Sequence, residues 1–175
     1  MARGDHVRVL ELLGAWPAPL AIFLRTPEGQ LLNPEARATI ARGLGLLGSA
    51  CIALGEGIKG EEILRLGIQY AGEGEAAPDL FLRLGEAMLG DGRAGEAIGP
   101  LRRGANLGAS PARVWTLLAR AFATRGRALA ALGSVLEARA AGAAEAELEG
   151  VVDQIKGALG PAYARWEEGM SIAAE

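Results

Sequence analysis

The chain has 175 residues, half of them apolar and 22% charged, which fits a globular domain with a sizeable core rather than a disordered segment. A net charge of −3, with no basic run longer than Arg102-Arg103, disfavours nucleic-acid binding. One cysteine (Cys51) and one histidine (His6) cannot supply an intramolecular disulfide or a Cys/His metal site, and no apolar run reaches the roughly 20 residues of a membrane span or forms a signal peptide, so the expected setting is cytoplasmic, without metal or cofactor.

Residues 1–32 form an N-terminal segment of their own. Asp5 is placed to cap a short helix through Leu13, and Trp16-Pro17-Ala18-Pro19 reads as a rigid link. Ala21 to Arg25 and Gln30 to Leu32 flank Thr26-Pro27-Glu28-Gly29, which reads as a turn or a small hairpin. Residues 33–77 follow as a helix pair. Asn33-Pro34-Glu35 is a strong helix start, with a cap, a first-turn proline and an acid facing the dipole. Leu47, Ala50, Cys51 and Leu54 keep helical register, Gly55 to Gly60 is a turn, and Ile63, Leu64, Ile68 and Ala71 mark a second helix. Gly72 to Ala77 reads as a linker.

Residues 78–111 and 112–145 repeat one another at an offset of 34, with nine identities. Leu84 meets Leu118, Ala87 meets Ala121, Gly92-Arg93-Ala94 meets Gly126-Arg127-Ala128, Ala97 meets Ala131, Gly99 meets Gly133, and Gly108-Ala109 meets Gly142-Ala143. Each unit reads as helix, glycine break, helix, with Pro78 and Pro111 near the starts. Pro100 falls inside a second helix, which it must kink or delay. Residues 33–77 form a degenerate third unit whose register fits an offset of 33. Residues 146–175 close the chain. Leu148, Val151, Val152, Ile155 and Leu159 make one apolar stripe over 145–159, and Tyr163, Trp166 and Met170 suit a further turn or two of helix.

Gly43-Leu44-Gly45-Leu46-Leu47-Gly48 matches GxGxxG by letter but lies in a helical pattern with no preceding strand, so it reads as close helix packing rather than a dinucleotide site. No Gly-x-Ser-x-Gly is present, and the paired acids Glu61-Glu62 and Glu167-Glu168 read as solvated surface. No catalytic constellation emerges, and an enzyme is not expected.

The series Phe81, Leu84, Gly85, Met88, Ala97, Leu101, Gly104 and the series Trp115, Leu118, Ala119, Phe122, Ala131, Val135, Ala138 resemble the tetratricopeptide (TPR) repeat. Small residues there let two helices approach while large ones fill the gap. The resemblance implies an all-α, right-handed superhelix of about three helix-turn-helix units, with a C-terminal capping helix and an irregular N-terminal segment. It also implies a concave groove lined by the first helix of each unit. Carried onto this chain, the groove positions are Ile52, then Leu82, Glu86 and Leu89, then Thr116, Arg120 and Ala123, with Arg83, Arg113 and Leu117 at the edges. An Asp at Leu82 or Leu89 is then expected to spare the fold. The expected partner is another protein, bound as an apolar helix or extended segment. Groove side chains that are Leu, Glu, Thr and Arg rather than Lys and Asn argue against clamping the acidic tails of heat-shock proteins. The layout is similar to the type III secretion translocator chaperones, which implies an adaptor or secretion-type chaperone. The alternative is a self-associating scaffold, for instance a homodimer.

Overall fold

The structure is a computed structural model in which residues 3–166 are described. Those residues are all-helical, with no strand among them. Three helices form the N-terminal segment: α1 (Arg3–Leu13), α2 (Pro17–Phe23) and α3 (Pro27–Gln30). Three hairpins follow, α4–α5 (Pro34–Ala53, Gly57–Ala71), α6–α7 (Ala77–Gly90, Ala94–Asn106) and α8–α9 (Pro111–Thr124, Ala128–Ala140). Helix α10 (Glu145–Leu159) and a helical stretch over 161–166 end the described chain.

The N-terminal segment departs most from the sequence expectation. Asp5 lies within the first turn of α1 rather than ahead of it. The Trp16 to Pro19 link is helical, because Pro17 and Pro19 both fall in the first turn of α2, where no N–H is needed. The hairpin is absent as well. Thr26 caps a single helical turn, its hydroxyl oxygen accepting from the Gly29 amide at 3.1 Å. Gly29 sits so close to the end of α2 that a Cβ there would lie 2.0 Å from the Phe23 carbonyl oxygen.

Farther on, local chemistry predicts the elements well. The Asn33 side chain accepts from the Ala36 amide at 2.8 Å and opens α4. Helix α7 starts at Ala94 and runs through Pro100, so the proline does not delay it; Pro100 offers no N–H to the Glu96 carbonyl. Helices α4, α6 and α8 end alike. The amides of Glu56, Arg93 and Arg127 reach back to the carbonyls of Cys51, Met88 and Phe122 at 2.8, 2.8 and 2.9 Å. The chain passes through Gly55, Gly92 and Gly126 at φ of 91°, 75° and 68°, the left-handed turn that glycine makes at least cost.

Packing corrects the register of the first unit. A Cβ at Gly48 would meet Leu64 and the Gly60 carbonyl, and one at Gly85 would meet Leu101 and the Ala97 carbonyl. A Cβ at Gly67 would meet Leu44 and Ala41, and one at Gly104 would meet Phe81 and Pro78. All four correspondences lie at an offset of 37, not 33. Leu44, Leu47, Gly48, Cys51, Gly60, Leu64 and Gly67 thus fill the slots of Phe81, Leu84, Gly85, Met88, Ala97, Leu101 and Gly104. The first unit is a full member of the series. Three extra residues fall in the α5–α6 connection, where fourteen positions rather than eleven separate the last packing residue of one unit from the first of the next. That connection contributes Glu73, paired with Arg103, and Glu75, 3.9 Å from Arg42.

Each hairpin packs on the next: α5 on α6, α7 on α8 and α9 on α10. The first helices also touch in succession, α4 with α6, α6 with α8 and α8 with α10. One continuous core results, running from Ala41 to Tyr163. Buried Glu61 of α5 pairs with Arg93 of the next turn, which also reaches Asp91 and Glu96.

Helix α10 buries Leu148, Val151, Val152 and Ile155 against the third hairpin. Its exposed side carries Glu149, Asp153 and Lys156, where α8 has Trp115, Ala119 and Phe122, so the slots for a further packing helix hold charges. Tyr163 folds back beneath the Lys156 ammonium, 5.5 Å from its ring centroid, and meets the Trp166 ring at 5.4 Å with a tilt of 54°. Met170, Glu167 and Glu168 lie outside the described residues.

Candidate functional site

The first helices bring side chains together in two recesses. The larger, about 590 Å³, lies between α6, α8 and the start of α10. Glu86, Arg113, Thr116, Leu117 and Arg120 line it, so five of the ten groove residues expected from sequence converge there. Leu117 is buried and forms apolar lining together with Ala112 and Ala143. Thr116 is buried too, and its hydroxyl donates to the Ala112 carbonyl at 2.9 Å, so this donor is spent inside its own helix. The Arg113 guanidinium forks onto Glu86 of the preceding unit. Nε donates to Oε1 at 3.0 Å, and Nη2 donates to both carboxylate oxygens at 2.7 Å. These bonds push the Arg113 guanidinium above its ordinary range, against the opposing effect of partial burial.

Arg83 lines the smaller recess instead, about 260 Å³ between α4 and α6, with Arg42, Leu46, Glu75 and Asp79. Its Nε donates to Asp79 at 2.5 Å and its Nη1 to the Ser49 hydroxyl at 2.9 Å. The four remaining expected residues line neither recess. Leu82 is only 3% exposed and belongs to the core. Leu89, Ala123 and Ile52 are half-buried and pack against that core, with Ile52 lying over Gly60 of α5. A charge at Leu82 therefore cannot spare the fold, because burying it unpaired is costly.

Sequence reasoning missed Glu147 and the 142–144 connection in the larger recess, and Arg42, Glu75 and Asp79 in the smaller. The signal for Glu147 was present: it stands 34 residues after Arg113, as Arg120 stands 34 after Glu86. Helix α10 starts 34 residues after α8, so Glu147 comes to the register of Arg113.

A third cavity, about 640 Å³, opens between the N-terminal segment and α5. Gly14, Ala15, Ala18 and Ala21 face Ile63 and Leu66 across it, with Lys59 and Glu62 also in the lining. The small residues of the segment leave this gap. Nothing in the sequence announced it, since Trp16 to Pro19 were read as a rigid link and Ala21 to Arg25 as one flank of a turn or hairpin.

Burial raises the Cys51 thiol above its usual value, which suits a packing residue rather than a reactive one. Among the described residues no group of three or more His, Cys, Asp or Glu side chains is placed to hold a metal, and no helix is long and apolar enough to cross a membrane. Comparison with protein-family models, curated proteins and solved structures returns no significant match.

Proposed function

We propose that this chain is a TPR-like binding module whose successive first helices form the concave side of a right-handed superhelix, and that it holds a segment of another protein there without catalysing a reaction. The observation that carries the reading is the recess between α6, α8 and α10, which gathers Glu86, Arg113, Thr116, Leu117 and Arg120 from different units. Two features support the architecture: packing slots that recur at offsets of 37 and 34, and first helices that touch in sequence while each second helix packs on the following unit. Leu117, Ala112 and Ala143 next to charged side chains suit an extended segment with mixed side chains better than a wholly apolar helix. A cytoplasmic adaptor or secretion-type chaperone is the biological role proposed for such a module.

The test is a variant that fills the recess from an exposed position. Ala144→Trp places a large ring there without replacing a core residue. A partner co-purifying with the parent chain and lost from Ala144→Trp, at unchanged helicity and melting temperature, is the expected outcome. Equal retention by both proteins excludes this recess as the binding face.

A second reading, self-association through the N-terminal segment, has its own observation. Among the described residues eight large apolar side chains are exposed, and Val7, Leu12, Trp16, Ile22 and Leu31 of that segment are five of them. Light scattering tests it, and a monomer at all concentrations removes it.

A further inference from the structure

The concave side carries a run of acid–base pairs, and the run breaks at its last junction. At the α4–α6 junction Arg42 lies 3.9 Å from Glu75, and Arg83 holds Asp79 and Ser49. At the α6–α8 junction Glu86 and Arg113 form the forked pair. The positions equivalent to Glu86 and Arg113 at the α8–α10 junction are Arg120 and Glu147, the same two charges in reversed order. Both line the larger recess and both are exposed, yet neither side chain makes a hydrogen bond or ion pair with any described residue; Glu147 acts on Arg113 only at Coulombic range. Glu86 and Arg113 neutralise each other. One open cation and one open anion therefore remain in a recess with no net charge among its lining side chains.

Resting on the groove reading above, we infer that the bound segment is an extended peptide of mixed charge, which sets an acidic side chain on Arg120 and a basic one on Glu147 and so completes the broken junction. A uniformly acidic tail meets Glu147 and Glu86, and a uniformly basic one meets Arg113 and Arg120, so either leaves like charges facing one another. A mixed pair satisfies both open groups while its neighbours cover Leu117 and Ala112. Arg120 and Glu147 are then the specificity-determining residues of the groove.

The experiment uses the full chain and fluorescein-labelled ten-residue peptides of Ala, Ser and Leu. Each peptide carries a Glu and a Lys separated by one, two or three residues, and its controls carry Gln-Gln, Glu-Gln, Glu-Glu or Lys-Lys at the same places. Amide shifts of Gly142 and Ala144 report occupancy of the recess. At low salt at least one mixed peptide binds about fivefold to tenfold more tightly than its Gln-Gln control, as two partly exposed ion pairs allow. Arg120→Gln and Glu147→Gln each reduce that advantage, and the double variant removes it, with circular dichroism unchanged. Equal binding of mixed, Glu-Gln and Gln-Gln peptides, with the amide shifts present, overturns the inference and leaves the groove reading standing. If no peptide moves Gly142 or Ala144, the groove reading falls and the inference falls with it.

Discussion

The repeat array and the N-terminal segment are both helical, and both pack apolar side chains. Yet among the described residues only the segment adds side chains from another helix gripping its backbone carbonyls. Within the α4–α5 and α6–α7 hairpins the same small-against-large slots recur between the two helices, and one core runs on through the following helices. Helices α1 to α3 have no such partner pattern. They are fixed to the array partly by side chains gripping backbone: the Tyr70 hydroxyl donates to the Leu20 carbonyl at 2.6 Å, and the Arg37 guanidinium donates to the carbonyls of Gly29, Gln30 and Leu32 at 3.3, 3.0 and 3.3 Å. Val9, Leu10, Leu13, Leu20 and Leu24 also pack against the edge of the core, and Trp16 lies over Gly43. Periodic packing can be read from a sequence and tolerates small losses locally. Polar attachment to carbonyls cannot be read from it and fails at single positions.

The strongest break in the array is Leu101→Ala. Leu101 is fully buried against Gly85, so its loss should cost about 2–5 kcal/mol and lower the urea midpoint of the whole chain. A midpoint that hardly moved would show that the second unit does not depend on this slot. Gly60→Ala should follow at about 1–3 kcal/mol, because the new Cβ would lie 2.7 Å from the Gly48 carbonyl oxygen and 2.5 Å from Ile52. A neutral or stabilising result would mean that α4 and α5 can separate freely.

Tyr70→Phe sharpens the contrast from the other side. It removes one long-range donor, a loss of about 0.5–1.5 kcal/mol, and should speed amide exchange and proteolysis in residues 17–32 while α6 to α10 keep their protection. Uniform loosening of the whole chain would contradict a separable segment. The same bond gives a pH signature. Burial pushes the Tyr70 phenol above its ordinary value near 10.0, against the pull of Arg37. A raised folded value means that the neutral phenol is favoured in the folded state. Its contribution is therefore complete below the unfolded value and lost as pH rises through the folded one. Attachment of the segment should thus weaken only in strongly alkaline solution, and this dependence should vanish in Tyr70→Phe. The smallest effect expected is from Glu86→Gln, at most about 1 kcal/mol of stability, since its side chain is 34% exposed and that of Arg113 is 48% exposed.

Much of this contrast was legible beforehand. The helices of the second and third units, the cap at Asn33, the glycine breaks and the bounds of α10 followed from apolar period and local chemistry. The register of the first unit did not, because three residues inserted between α5 and α6 shift the alignment without changing any helix pattern. Glu86, Arg113, Thr116, Leu117 and Arg120 line one recess because the 34-residue offset places them on one side of α6 and α8. Leu82 on α6 is buried in the core, and Leu89, Ala123 and Ile52 are half-buried outside both recesses, since burial depends on how closely the neighbouring helix approaches.

The sequence by itself determined the helices from α4 onward and the 34-residue repeat, because hydrophobic period, capping and left-handed glycines act within a few residues. Only the tertiary structure decided how the N-terminal segment is attached, which charges pair across units and which stay open. Those outcomes depend on distances between residues far apart in the chain, such as Tyr70 and Leu20 or Glu86 and Arg113, and only packed helices set those distances.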